Sequence, residues 1–252
     1  MRNLEKEIEN IIIREIEDLN RPDLCRGPIV AYSCSKDERY SQLKEIIGEW
    51  HLGPSGHLPD AESVISYFIP FTEGVIRESK MLKENAPLWA EAYVVINSYI
   101  DHINESVSNY LVKSGYSAKA IRATHNYDPK DMKSAWSHRS AAVIAGIGSF
   151  GANRVVITNK GSGGRFCTIL TSAPLKTSEA QVEVKCLYLK KGSCGLCFRI
   201  CPVNALSPDL IDKYACQEKL IKNGQELRQS LAPVVADTCG KCITVCPYAY
   251  IR

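Results

Sequence analysis

The segment at 194–202 reads CGLCFRICP, and the segment at 239–247 repeats it as CGKCITVCP. Each is Cys-x2-Cys-x3-Cys-Pro. The two lie in one run, Cys186 to Pro247, that holds eight of the chain's eleven cysteines: Cys186, Cys194, Cys197, Cys201, Cys216, Cys239, Cys242 and Cys246. A Cys-x2-Cys loop delivers two thiolates to one site from a single tight turn. The repeated spacing makes this run a candidate metal-binding module, and the rest of the chain is read outward from it.

The pattern resembles the ligand set of two-cluster bacterial ferredoxins, in which the cysteine before the proline ligates the other [4Fe–4S] cluster. Applied here, cluster one takes Cys194, Cys197 and Cys246, and cluster two takes Cys239, Cys242 and Cys201. Each then lacks one thiolate. Cys186, upstream of the first motif, is assigned to cluster one and Cys216 to cluster two. The chain departs from the bacterial run at its leading cysteines, where Lys191 and Ala236 stand instead. Four-cysteine zinc sites use the same Cys-x2-Cys pairs, but the repeated x3-Cys-Pro endings favour iron. Disulfides belong to oxidising compartments, and the N-terminus has no apolar signal core.

The chain has 252 residues, 45% of them hydrophobic, which is ample for a buried core. A formal charge of +3, from 31 basic and 28 acidic residues, gives no warrant for a nucleic-acid partner. No stretch approaches the roughly 20 apolar residues of a membrane span. A soluble, cytoplasmic protein is expected.

Before the cysteine run, the apolar spacing predicts helices over 3–19, with a stripe of Ile8, Ile12, Ile16 and Leu19, and over 38–47. The longest helix runs from Pro87 to Ser114-Gly115, with proline at its start and glycine after its end. Strands are expected at 28–33, 64–69, 117–123, 154–158 and 165–171, and a small-residue helix at 140–145. A helix over 212–231 should carry Cys216. His51 and His57 fall in a Gly- and Pro-rich loop, where histidines are usually solvated. Cys25, Cys34 and Cys167 are expected as small buried hydrophobes.

Gly146-x-Gly148-x-x-Gly151 matches the dinucleotide fingerprint formally. That fingerprint needs a strand before it, a helix after it and an acid about 20 residues on. Here a helix comes first and position 171 is threonine, so the reading is rejected. The Gly161–Gly164 loop is either an anion cradle of backbone N–H groups or a hairpin turn.

Three features together resemble the epoxyqueuosine reductases and the related reductive dehalogenases. They are Ala145-Gly146-Ile147-Gly148-x-x-Gly151, the run from Val156-Ile157-Thr158 to Leu175, and the cluster module with Cys216 isolated between its motifs. The strand VISYFIP at 64–70 is also similar, and the resemblance covers most of residues 28–250. It implies a mixed α/β (α+β) chain: a nitroreductase-like core over 1–180 with a corrinoid site, then a ferredoxin-like module over 181–252 with two [4Fe–4S] clusters. It further implies a cobalamin held base-off near Gly146, Gly148, Gly151, Gly163, Gly164 and Arg165, reduced through the clusters by a flavodoxin- or ferredoxin-type donor protein. The chain agrees in lacking Asp-x-His-x-x-Gly. The family's proton-donating Asp, about 14 residues before the first glycine, falls on Met132, so Asp131, Tyr127 and His138 become the candidate acids. The chain ends without the C-terminal helical repeats that contact tRNA, and tRNA is not expected as a substrate. The alternative is a ferredoxin-type electron carrier without a corrinoid or catalysis of its own.

Overall fold

The computed structural model describes residues 3–82, 86–123, 127–178, 182–230 and 232–252. Helix α1 (Leu4–Asp18) starts at Asn3, whose side chain accepts the Lys6 N–H, and buries Ile8, Ile12 and Ile16. Strand β1 (Ile29–Cys34), helix α2 (Glu38–Ile47) and the single turn α3 (Pro54–His57) follow. Next come β2 (Ser63–Pro70), α4 (Glu73–Met81) and the long α5 (Pro87–Lys113). Strand β3 (Ala118–Ile121) precedes a small hairpin, β4 (Tyr127–Asp128) with β5 (Lys133–Ser134). Helix α6 (His138–Ile144) leads into a second hairpin, β6 (Gly148–Phe150) with β7 (Val156–Thr158), and then β8 (Gly164–Thr171). The cysteine-rich end carries α7 (Leu187–Lys191), α8 (Leu196–Arg199), α9 (Lys213–Gln229) and α10 (Lys241–Thr244).

The main sheet has the order β1-β2-β8-β3 and every pairing in it is antiparallel. The chain is thus α+β. Strand β2 is buried at all eight positions, as its nearly unbroken apolar sequence requires of a strand covered on both faces. Ile65, Tyr67 and Ile69 pack with residues of α1 and α5 in the largest core. Val64 and Phe68 point the other way, towards residues of α2 and α6. The two-residue period of a strand makes this division.

Several sequence expectations need correction. Strand β3 (Ala118–Ile121) is shorter than the 117–123 expected. The loop around Asp128-Pro129 closes the β4–β5 hairpin. Helix α4 has no counterpart in the sequence reading. His51 is not solvated: it is 1% exposed and stacks on Trp136 with ring centroids 6.2 Å apart. Burial lowers its pKa, so the imidazole is neutral. Among the three cysteines outside the module, Cys25 and Cys167 are buried and Cys34 is half-buried.

Gly164 opens β8 opposite Pro70. A Cβ there would stand 2.3 Å from the Ile69 carbonyl oxygen and 2.6 Å from the Phe68 ring. Backbone cannot give way as a side-chain tip can. Gly164→Ala should therefore destabilise the fold by about 1–3 kcal/mol, the usual cost of overpacking, as read by the urea midpoint at unchanged slope.

Candidate metal centre

The two nine-residue repeats fold alike. Gly195 and Gly240 are left-handed, at φ 77° and φ 76°, and each starts a single helical turn, α8 or α10. That conformation suits glycine and sets the two cysteines of each Cys-Gly-x-Cys on either side of one tight bend. Cys201 and Cys246 follow those turns, each before its proline, and α8 packs against α10.

A cavity between the repeats is lined by Cys186, Cys194, Cys197 and Cys246, together with Ala152, Asn153, Tyr188 and Tyr248. Three of these cysteines are near neighbours in sequence; Cys246 arrives from the second repeat. Burial, first, and then the nearby Cys186, Cys194 and Cys197 push the Cys246 thiol up to about 11. The other four cysteines act on one another in the same way. Burial raises the Cys242 thiol to about 12, with Cys239, Cys216 and Cys201 the nearest contributors after it. Cys216 is raised by burial, then by Cys239 and Cys201. Cys197 also acts on Cys242, so the two sets adjoin. No disulfide joins any of the eight. Among the described residues no three His, Cys, Asp or Glu side chains converge on a single ion; a four-iron cubane is wider than an ion and holds its thiolates further apart.

Backbone N–H groups point at three of the sulfurs. Ala152 donates to Cys186 Sγ at 3.4 Å, Ala205 to Cys201 Sγ at 3.2 Å and Tyr248 to Cys246 Sγ at 3.4 Å. Such bonds favour thiolate over thiol. An eight-thiol set with donors already directed at sulfur fits two iron–sulfur clusters.

The module is tied to the rest of the chain by specific contacts. Lys241 Nζ donates to the Ser79 carbonyl at 2.6 Å and to that of Leu82. Asn153 Nδ2 donates to the Cys242 carbonyl at 2.8 Å. Arg26 binds the carbonyls of Ile251 and Lys160 and covers the Tyr250 ring at 4.3 Å. Ser162 and Gly163 give their N–H groups to the carbonyls of Tyr248 and Ala249, both at 3.0 Å. The loop of Gly161–Gly164 is therefore committed to the C-terminal backbone, and those donors are not free to cradle an anion.

The fit to a corrinoid differs. Gly146, at φ 81°, ends α6: its N–H and that of Ile147 return to the carbonyls of Val143 and Ala142, the paired bonds of a Schellman cap. A Cβ on Gly148 would meet the Ile157 carbonyl oxygen at 2.4 Å, on Gly151 the Asn153 side chain at 2.9 Å, and on Gly163 Ile76 at 2.1 Å. The room these glycines leave is filled by protein, so they form no open cradle for a macrocycle. Arg165 remains. Its Nε donates to Asn97 Oδ1 at 2.8 Å and its guanidinium lies 4.7 Å from the centre of the Tyr93 ring.

The three candidate acids sit in different surroundings. Tyr127 is half-buried on β4. Asp131 is exposed and paired with Lys133 at 2.9 Å, and that hydrogen bond holds its carboxyl below the usual range. It is an ionised carboxylate, the wrong form for a donor at neutral pH. His138 is buried, with Nδ1 2.8 Å from Thr168 Oγ1 and Nε2 2.9 Å from the Arg122 carbonyl. Sequence reasoning passes over Arg139, Tyr93, Asn97 and Ala152. The i, i+4 spacing of Tyr93 and Asn97 puts both on one face of α5, but nothing in the sequence says that Arg165 meets it.

No family model matches the chain, and no curated protein matches it. Solved structures do. Epoxyqueuosine reductase from Streptococcus thermophilus superposes at a TM-score of 0.55 with 17% identity, over 95% of this chain and 66% of its own. The Bacillus subtilis epoxyqueuosine reductase gives 0.55 and 18%, over 96% and 66%. A reductive dehalogenase described with a mechanism for B12-dependent dehalogenation gives 0.57 and 15%, over 87% and 29%. The resemblance to epoxyqueuosine reductases and reductive dehalogenases therefore holds at the level of the fold. The chain spans about two thirds of the length of the first group and under a third of the second. Among the described residues no helix is long and apolar enough to cross a membrane.

Proposed function

We propose that this chain is an electron-transfer redox protein with two [4Fe–4S] clusters, one held by Cys186, Cys194, Cys197 and Cys246, the other by Cys201, Cys216, Cys239 and Cys242. The observation that carries the reading is the cavity lined by the first four thiols, one of them drawn from the far repeat. When bound, the clusters supply one-electron chemistry at a potential set by charge, burial and hydrogen bonds to sulfur. The protein's part is to hold and tune. Ala152, Ala205 and Tyr248 direct N–H groups at thiolates, Asn153 fixes the backbone at Cys242, and the Lys241 contacts anchor the second repeat to α4. Residues 181–252 act as the cluster module. The α+β part over 1–180 presents it to the acceptor, and a flavodoxin- or ferredoxin-type protein serves as donor in a reducing cytosol.

A second reading makes a corrinoid the acceptor. What favours it is the fold shared with the reductase and dehalogenase structures, one of them described as B12-dependent. The filled glycine positions speak against the site that the sequence suggested for it. Anaerobic titration of the cluster-loaded chain with cobalamin separates the two. The electron-carrier reading expects no spectral change and about eight irons per chain, four for each cluster. A base-off corrinoid spectrum saturating at one equivalent would establish the second reading. A colourless chain without iron or acid-labile sulfide would defeat both.

A further inference from the structure

The first repeat forms the outer layer of the cysteine-rich module. It packs on the second repeat through α8 and α10, and it meets the turn of the β6–β7 hairpin where Ala152 reaches Cys186. The second repeat is held from several sides. A Cβ on Gly240 would stand 2.5 Å from the Trp89 ring of α5, Lys241 is bound by the end of α4, and Asn223 of α9 donates its Nδ2 to the Thr238 carbonyl at 2.6 Å. The loop that leads into Cys194 has no such cover: Lys191, Gly192 and Ser193 are all exposed. A ligand loop of the first cysteine set is therefore part of the molecular surface.

Positive charge and apolar surface gather on that layer. Residues 183–208 hold four basic side chains, Lys185, Lys190, Lys191 and Arg199, against the single acid Glu183. The whole chain has 31 basic and 28 acidic residues, so this segment carries all of the excess and the remainder is balanced. Among the described residues only Lys190 of the four pairs with a carboxylate, that of Glu183. Arg199 donates from one nitrogen to the Cys194 carbonyl at 2.8 Å, which holds its cation beside the ligand loop. The edge-to-face contact of Tyr188 with Phe198, ring centroids 5.1 Å apart, draws α7 and α8 together. Leu189 and Ile200, one and two residues beyond that contact, nevertheless remain 52% and 44% exposed. Apolar surface rimmed by cations is the make-up of a docking face: charge steers the partner from a distance and the apolar centre holds it on contact. A protein that carries carboxylates around its redox group complements such a face.

We propose that the face formed by α7, residues 191–193 and the end of α8 docks an acidic one-electron donor protein, and that electrons enter the chain there. The proposal rests on the two-cluster reading above. The donor's reduced centre loses one electron, and the cluster of Cys186, Cys194, Cys197 and Cys246 gains it. No bond breaks and no proton moves in the transfer. The second cluster set, next to the first, passes the electron on towards the α+β part.

The test uses the cluster-loaded chain under anaerobic conditions. Stopped-flow absorbance follows its reduction by flavodoxin hydroquinone, an acidic protein, and by methyl viologen radical, a small cation. Lys190→Gln combined with Lys191→Gln, at two exposed side chains, should slow flavodoxin about tenfold at low salt, within the range that steering spans. The gap should close at about 0.5 M salt, where exposed charges are screened. Viologen should not be slowed. Lys113→Gln removes one exposed charge roughly 36 Å along α5 from Trp89, and it should slow flavodoxin far less than Lys191→Gln alone. A flavodoxin rate unchanged in the double variant, or insensitive to salt, overturns the docking face. Equal slowing of flavodoxin and viologen also overturns it, because the lysines would then only balance the charge of the cluster. Iron and acid-labile sulfide are counted on the same samples. Full iron without a charge effect removes the docking face alone. A chain without iron removes the cluster reading and the entry point with it.

Discussion

Replacing Cys246 with alanine should leave about half the iron and acid-labile sulfide of the unaltered chain, and so should Cys216→Ala, each by emptying a different cluster site. The pair matters because proximity along the chain misassigns one of them. Cys246 lies four residues after Cys242 and would be grouped with it by sequence distance alone. In the fold it lines the cavity with Cys186, Cys194 and Cys197, and those three are the thiols that act on it. Combined substitutions make the partition measurable. Cys186→Ala with Cys246→Ala should lose no more iron than either alone, since one site is already empty. Cys216→Ala with Cys246→Ala should lose nearly all of it. Loss of nearly all iron from the Cys186/Cys246 pair would sink the partition. Metal binding is also folding free energy, so the double loss should lower thermal stability more than either single one.

What is legible in the sequence follows from how far each signal reaches along the chain. Helix α2 and the long α5 can be placed closely because propensity, caps and apolar period all act within a turn or two. The β2 strand is equally plain, since Ser63–Pro70 is apolar enough for both its faces. The thiol spacing is a local signal as well, so the repeats can be recognised from single residues. Gly148, Gly151, Gly163 and Gly164 are harder. Their role depends on the Ile157 and Ile69 carbonyls, the Asn153 side chain and Ile76, and no local rule says which distant atom a missing Cβ leaves room for. The same holds for Gly163 and Ser162, whose N–H groups meet carbonyls more than eighty residues away, and for the meeting of Arg165 with Tyr93 and Asn97. His51 goes against expectation because a Gly-Pro-rich loop is ordinarily solvated, whereas this one folds over Trp136.

His138 should make the fold sensitive to acid, and the direction can be worked out. Burial, first, and then the charges of Arg165 and Arg139 hold its pKa down to about 4, against a hydrogen bond to the Arg122 carbonyl that raises it. In the unfolded chain an imidazole titrates near 6.5. Between those values the unfolded state binds the extra proton and the folded state does not, so stability falls as pH drops from about 6.5 towards 4. Each pH unit across that window costs roughly 1.4 kcal/mol, so the loss approaches about 3 kcal/mol over the whole of it and about 2 kcal/mol by pH 5. Clusters are themselves acid-sensitive, so the quantity to measure is a difference. Urea unfolding of the unaltered chain and of His138→Gln at pH 7 and pH 5 isolates the imidazole, because cluster effects enter both proteins alike. The variant should start less stable at pH 7, having lost the bridge between Thr168 and Arg122, and should lose about 2 kcal/mol less on going to pH 5. Parallel losses in the two proteins would show that this histidine carries no linked proton. The same geometry bears on catalysis. An imidazole that is neutral at pH 7, with one nitrogen on a hydroxyl and the other on a carbonyl, has no proton to release into a reaction. His138 instead joins α6 to the sheet, through Thr168 of β8 and the Arg122 carbonyl after β3.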